Sequence, residues 1–168
     1  MKFVLTLLFA LPLFAAGQDT LANCKLTKVT DPFTKETKIS TEFLALDGAL
    51  VSIDATSTEI DFLFSIEGAD HCFDNNSTAA IYFEGTKTKL NSRNAGSMNC
   101  EGLFHINFKN TLVPNNLLTK MMATGINHIL FTGNNKNDFT LNLTPIDQRA
   151  LMVLTSCLVN EAKTLIKQ

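Results

Sequence analysis

Two hydrophobic periods divide the chain. Over roughly its first two thirds, apolar residues recur at every second position. From residue 115 onward, two stretches adopt helical spacing. The clearest alternation is "TEIDFLFSIEG". There Ile60, Phe62, Phe64 and Ile66 share one face while Asp61, Leu63 and Ser65 take the other. That pattern predicts a half-buried strand. "LFHINFKN" repeats it, with Phe104, Ile106 and Phe108 opposite His105 and Asn107. "AAIYFEGTKTKLNS" predicts a hairpin turning at Glu84-Gly85, with Ile81 and Phe83 on one side and Tyr82 on the other. Asp47-Gly48 is a strong hairpin signal that leads into "LVSIDAT".

An earlier hairpin is predicted in "CKLTKVTDPFTKETKIS", with the turn at Asp31-Pro32-Phe33-Thr34 and arms over 24–30 and 34–43. A simple register sets Leu26 opposite Ile39, with Cys24 on the same inward face. Lys25, Thr27 and Lys38 then project outward, where lysines guard an exposed hairpin against pairing with other chains.

In the second half, "PNNLLTKMMATG" places Leu117, Leu118, Met121 and Met122 on one helical face. Gly125 fits a left-handed stop there, with Ile126 closing back on Met121. "INHILFTG" and "DFTLNLT" read as two further strands joined across "NNKN". Thr144 then caps a last helix, with Pro145 at its first position and Asp147 at its third. Its expected apolar stripe is Ile146, Ala150, Val153, Leu154, Cys157, Leu158 and Leu165. A run of strands followed by helices indicates α+β. The expectation is a mainly antiparallel, twisted sheet of about nine strands, with two helices near 115–124 and 145–167 packed on one face.

The first residues change the setting. "MKFVLTLLFALPLFAAGQD" carries Lys2, an apolar run from Phe3 to Ala16, and small residues Ala15 and Gly17 before Gln18. This is the layout of a secretory signal peptide over 1–17, cut before Gln18, leaving 18–168 as a single α+β domain. The apolar run is too short for a transmembrane span, which takes about 20 residues. "LANC" makes a poor lipobox, because Asn23 precedes Cys24 and polar "GQDT" separates it from the apolar run, so lipid anchoring at Cys24 is disfavoured. The expected location is secreted or periplasmic. Losing one lysine and no acid takes the net charge from −2 to −3. With no block of like charges, nothing points to nucleic acid or an anionic membrane.

All four cysteines lie beyond the leader, which suggests two disulfides in an exported chain. Their spacing is unlike a zinc knuckle. Cys24 alternates with Leu26, and Cys157 sits in the stripe of the last helix, so both face the core. This favours Cys24–Cys157, leaving Cys72–Cys100 as two loop cysteines.

Candidate chemistry is sparse. His71, His105 and His128 are dispersed, with no metal-ligand spacing. "DHCFD" around His71 reads as a polar loop beside a disulfide. His105 lies opposite the Phe face of its strand, exposed or covered by a neighbouring layer. His128 lies in a strand apolar on both sides and reads as a satisfied core histidine. Asp54, Glu59, Asp61 and Glu67 fall around one strand pair and could supply a carboxylate pair, but nothing in the sequence ranks them. No GxSxG, P-loop or GxGxxG occurs. Asn75, Asn76 and Asn142 open formal glycosylation sequons, meaningful only in a eukaryotic secretory pathway. The Met-rich "LLTKMM" and the Phe-rich strands read as core.

The layout resembles a group of small uncharacterised secreted proteins of Bacteroidota-like Gram-negative bacteria. The resemblance rests on "DPFTKETKI", "IYFEGTKTKL" and "LVPNNLLTKMMATGINHILFTG", followed by a short strand and an amphipathic helix. It departs at Lys35, where that group often has glycine, and at Leu130, where arginine is common. The resemblance implies export and α+β architecture and brings no catalytic, cofactor or metal site. The expected role is therefore a non-enzymatic binding or accessory domain without cofactor. A small hydrolase or thiol enzyme, and a carrier of apolar ligand, stand as alternatives. The sequence identifies no partner; a protein and a small apolar ligand are the two kinds left open.

Overall fold

The computed structural model describes residues 24–68, 71–134 and 136–166. The expected leader and its cut before Gln18 lie outside the described residues. The fold is α+β, with ten strands in two antiparallel sheets and two helices.

The larger sheet is built from β1 (Leu26–Thr30), β2 (Thr37–Thr41), β3 (Leu44–Leu46), β4 (Ala49–Ala55), β5 (Glu59–Ile66) and β8 (Leu103–Lys109). Its order is β1-β2-β4-β5-β8, with β3 also on β4. The chain breaks between β2 and β3, and Thr41 Oγ1 carries the ladder across by accepting from Ile53 N at 2.9 Å. The smaller sheet runs β10-β9-β6-β7, from β6 (Thr78–Phe83), β7 (Lys89–Arg93), β9 (Ile126–Thr132) and β10 (Asp138–Asn142).

The strands thus form two sheets rather than one. A single sheet would leave two helices to cover every apolar row. Instead the rings of the two sheets cover one another. Phe131 of β9 lies 5.5 Å from Phe64 of β5 and 5.0 Å from Phe104 of β8, centroid to centroid. Phe73, from the loop before β6, makes an edge contact with Phe104 at 5.2 Å. Facing sheets that bury alternating residues are a standard way to make a core. The sheets also touch along a seam. Just after β7, Ala95 N donates to His105 O, and buried Asn94 accepts from His105 N through its Oδ1 at 2.8 Å.

The first hairpin differs from the simple register. Leu26 faces Thr41, and Ile39 faces Lys28. The turn is larger than Asp31–Thr34, because Asp31 N donates to Glu36 O and Lys35 N to Asp31 O. Asp31 Oδ1 accepts from Phe33 N and Thr34 N, both at 2.7 Å, and these bonds hold its carboxyl below the usual range. The shift is by two residues, so every side chain keeps its expected face.

Helix α1 (Asn116–Ala123) is capped by Asn115, whose Oδ1 accepts from Leu118 N. Gly125 does not take the left-handed conformation. Thr124 is already extended, at φ −137°, and the chain passes straight into β9. The position is tight: a Cβ at 125 would lie 2.7 Å from Gln148 Oε1, the movable end of that side chain, and 3.3 Å from its Cβ.

Helix α2 (Pro145–Ala162) starts in a full capping box made by Thr144 and Asp147. It packs on α1, β2, β4 and β9. Its buried face is turned from the expected stripe: Ala150, Leu151, Thr155, Leu158, Val159 and Ala162 point inward, and Ile146 is 72% exposed. Thr155 tolerates full burial because its hydroxyl donates to Leu151 O at 2.7 Å. At the far end, Asn110 Nδ2 donates to both Thr56 O and Ala162 O at 2.8 Å, tying the helix terminus to the larger sheet. Among the described residues no helix is long and apolar enough to cross a membrane.

Candidate functional site

Cys24 is bonded to Cys157, and Cys72 to Cys100. No described cysteine is free, so none offers a thiolate nucleophile, and the Cys24 sulfur is not open to lipid attachment. The first bond fixes β1 to α2. The second closes a loop at the end of the seam, where Phe73 and Asn99 pair their backbones. Two disulfides fit an oxidising compartment.

Strand register ranks the carboxylates that sequence could not. Asp54 of β4 stands directly opposite Asp61 of β5, and Asp61 opposite Asn107 of β8, all on the outer face of the larger sheet. Glu59 lies on the same face one step along β5, and Glu67 falls beyond the strand. Two acids directly opposite one another repel. Each is given a basic neighbour: Lys38 Nζ lies 2.6 Å from Asp54 Oδ2, and His105 Nδ1 lies 2.7 Å from Asp61 Oδ2. Asn107 Nδ2 donates to Glu59 Oε2 at 2.9 Å.

Asp61 is the unusual member. Its Oδ1 is buried and has no hydrogen-bond partner among the described residues. Burial pushes its carboxyl above the usual range. The His105 contact opposes that rise, and the charges of Asp54 and Glu59 add to it. The His105 ring is held from above by the seam loop, where a Cβ on Gly96 would come within 2.7 Å of its Cδ2. An aspartate orienting a histidine is half of a hydrolytic machine. The missing half is a nucleophile: among the described residues no hydroxyl hydrogen-bonds to His105. The row lies on a strand surface rather than in a cleft.

The outer face of the smaller sheet differs. Three rows cross its four strands: Asn142–His128–Tyr82–Lys89, Thr140–Leu130–Ala80–Asn91 and Asp138–Thr132–Thr78–Arg93. Here His128 departs from the core position expected of it. It is half-buried on the outer face, stacked on Tyr82 at 4.2 Å and 15°. Strand β9 is apolar on both sides only because Leu130 lies on the open face. Lys89 Nζ lies 5.9 Å from the Tyr82 ring centroid. His71 sits in its loop, 5.2 Å from the ring of Phe139.

Sequence reasoning left Asp61 unranked and did not join it to His105. Both lay on the polar side of alternating strands, so pairing β5 with β8 would have brought them together. Among the described residues no cluster of histidine, cysteine and acid side chains has the arrangement to hold a metal ion. No family model, curated protein or solved structure matches the chain.

Proposed function

We propose that the chain is an exported binding domain, held together by its disulfides, whose sheet faces recognise a partner without chemical turnover. The observation that carries this reading is the engagement of its reactive groups. Every described cysteine is in a disulfide, and Asp54 and Asp61 of the larger sheet each contact a basic side chain on a strand surface. The proposal includes the leader, the location outside the cytoplasm and kinship with the secreted bacterial group. Carriage of an apolar ligand fits less well, because the space between the sheets is taken by Phe62, Phe64, Phe104 and Phe131, all fully buried.

Mass spectrometry of the exported protein, alkylated before and after reduction, tests the setting. The expected product begins at Gln18 and reacts with alkylating agent only after reduction. A chain still carrying its first residues, or four reactive thiols, would overturn it. Asp61 and His105 are the seat of the rival hydrolase reading. A panel of ester, peptide and glycoside substrates should show no turnover. Hydrolysis by the native protein that disappears in Asp61→Asn would replace binding with catalysis.

A further inference from the structure

We propose that the outer face of the smaller sheet binds an acidic polysaccharide of the polyuronate class, laid along β7. This deepens the binding reading and rests on it. A groove of about 510 Å³ crosses the face, with Ala80 and Leu130 in its floor and Lys89 and Arg93 on one wall. Lys89 and Arg93 occupy outward positions four residues apart, roughly 13 Å along a strand. Neither is in an ion pair with a described residue. The outward positions of the four strands carry a single acid, Asp138, at the opposite edge of the sheet. The whole chain is acidic, at −2, so two unpaired cations on one wall are a local reversal of sign.

The rest of the groove has the chemistry of a sugar site. Thr78, Thr132 and Asn91 offer hydroxyls and an amide that are engaged by no other described residue. Ala80 and Leu130 form an apolar strip, suited to the C–H face of a pyranose. The two cations suit carboxylates spaced along a glycan, and Arg93 can meet one with two parallel hydrogen bonds. Nucleic acid suits the face less well. Binding single strands takes stacking platforms, and here Tyr82 stands between His128 and Lys89.

Tyr82 also supplies the readout. It is the chain's one tyrosine, there is no tryptophan, and it stands on this face. Its emission should change on titration with oligogalacturonate, and calorimetry should give the same affinity. Lys89→Ala/Arg93→Ala should weaken binding at least tenfold, with the thermal transition unchanged. Lys25→Ala/Lys28→Ala, on the far edge of the larger sheet, should leave it as it was. Added salt should weaken it. Lack of binding by oligogalacturonate would overturn the proposal. So would equal binding of a neutral malto-oligosaccharide, tighter binding of oligo-dT, or indifference to the β7 double variant. Thiol counts and turnover assays do not bear on this result, so its failure is distinguishable from failure of the binding-domain reading.

Discussion

On the outer face of the larger sheet, Lys38 meets Asp54 and His105 meets Asp61. On the smaller sheet, Lys89 and Arg93 meet no acid. Both faces are polar sides of alternating strands, and composition alone would not separate them. The difference is that one face pairs two of its acids with bases from neighbouring strands, while the two cations of the other have no described acid beside them. Paired surface charges contribute little to stability, and they also leave little for a ligand to complete. Unpaired cations lose nothing by remaining hydrated and gain from an anion that brings its own hydrogen-bonding groups. The smaller sheet is therefore the better candidate for recognition, although the larger one carries the Asp–His pair that first draws the eye.

The contrast can be broken at its root. Phe131 of the smaller sheet touches Phe64, Phe73 and Phe104. Phe131→Ala should cost about 3–5 kcal/mol by chemical denaturation. Both sheets should loosen together, since they share one core. A loss under about 1 kcal/mol would mean that the rings do not hold the sheets as described. Comparable in size is Cys24→Ser/Cys157→Ser, expected to cost about 3–5 kcal/mol. Hydrogen exchange should rise first in β1 and β2, while Tyr82 emission stays native. Early exchange in β6 and β9 would show that the staple supports the whole molecule rather than one edge.

A smaller gain is expected at the hairpin tip. Lys35 holds φ +59°, a conformation that costs a side chain and suits glycine. Lys35→Gly should stabilise by roughly 0.5–1 kcal/mol, and a destabilised variant would refute the turn geometry. The smallest effect concerns Asp61, whose side chain is 24% exposed and so still partly screened by solvent. Burial raises its carboxyl, so the folded state holds that proton more tightly than the unfolded chain. The associated stability is present below the unfolded carboxylate range and is lost as pH rises through the raised value. Asp61→Asn should therefore gain on the native protein as pH climbs from acid toward neutral. A flat or reversed difference would show that His105, rather than burial, governs the site.

Much of this fold could be read from alternation. The rows Ile60–Ile66 and Phe104–Phe108 are buried as their period demands. Thr144, Pro145 and Asp147 begin α2 where capping chemistry requires. What could not be read was long-range. The split into two sheets depends on which strand rows face each other, and no local pattern encodes that. Gly125 looked like a conformational glycine because it follows a helix, yet it is not left-handed, and the side chain crowding it is Gln148, more than twenty residues away. The inward turn of α2 toward Thr155 was hidden by a hydroxyl that satisfies itself within the helix. Asp61 and His105 were visible separately, and their meeting depended on the pairing of β5 with β8.

The two cross-links are nested, one spanning 28 residues inside another spanning 133. A chain that enters an oxidising space amino end first presents its cysteines in the order 24, 72, 100, 157. Joining them as they arrive would tie Cys24 to Cys72 and Cys100 to Cys157, two knots that the finished molecule does not contain. If the chain is exported as proposed, its maturation carries a problem of chronology: the first thiol to emerge must wait for the last. Oxidation with a plain oxidant should yield a mixture of isomers by peptide mapping, and a thiol–disulfide shuffling system should resolve it to one. If plain oxidant alone gave the native pairs, folding would have outrun chemistry, and Cys24 would need no proofreading.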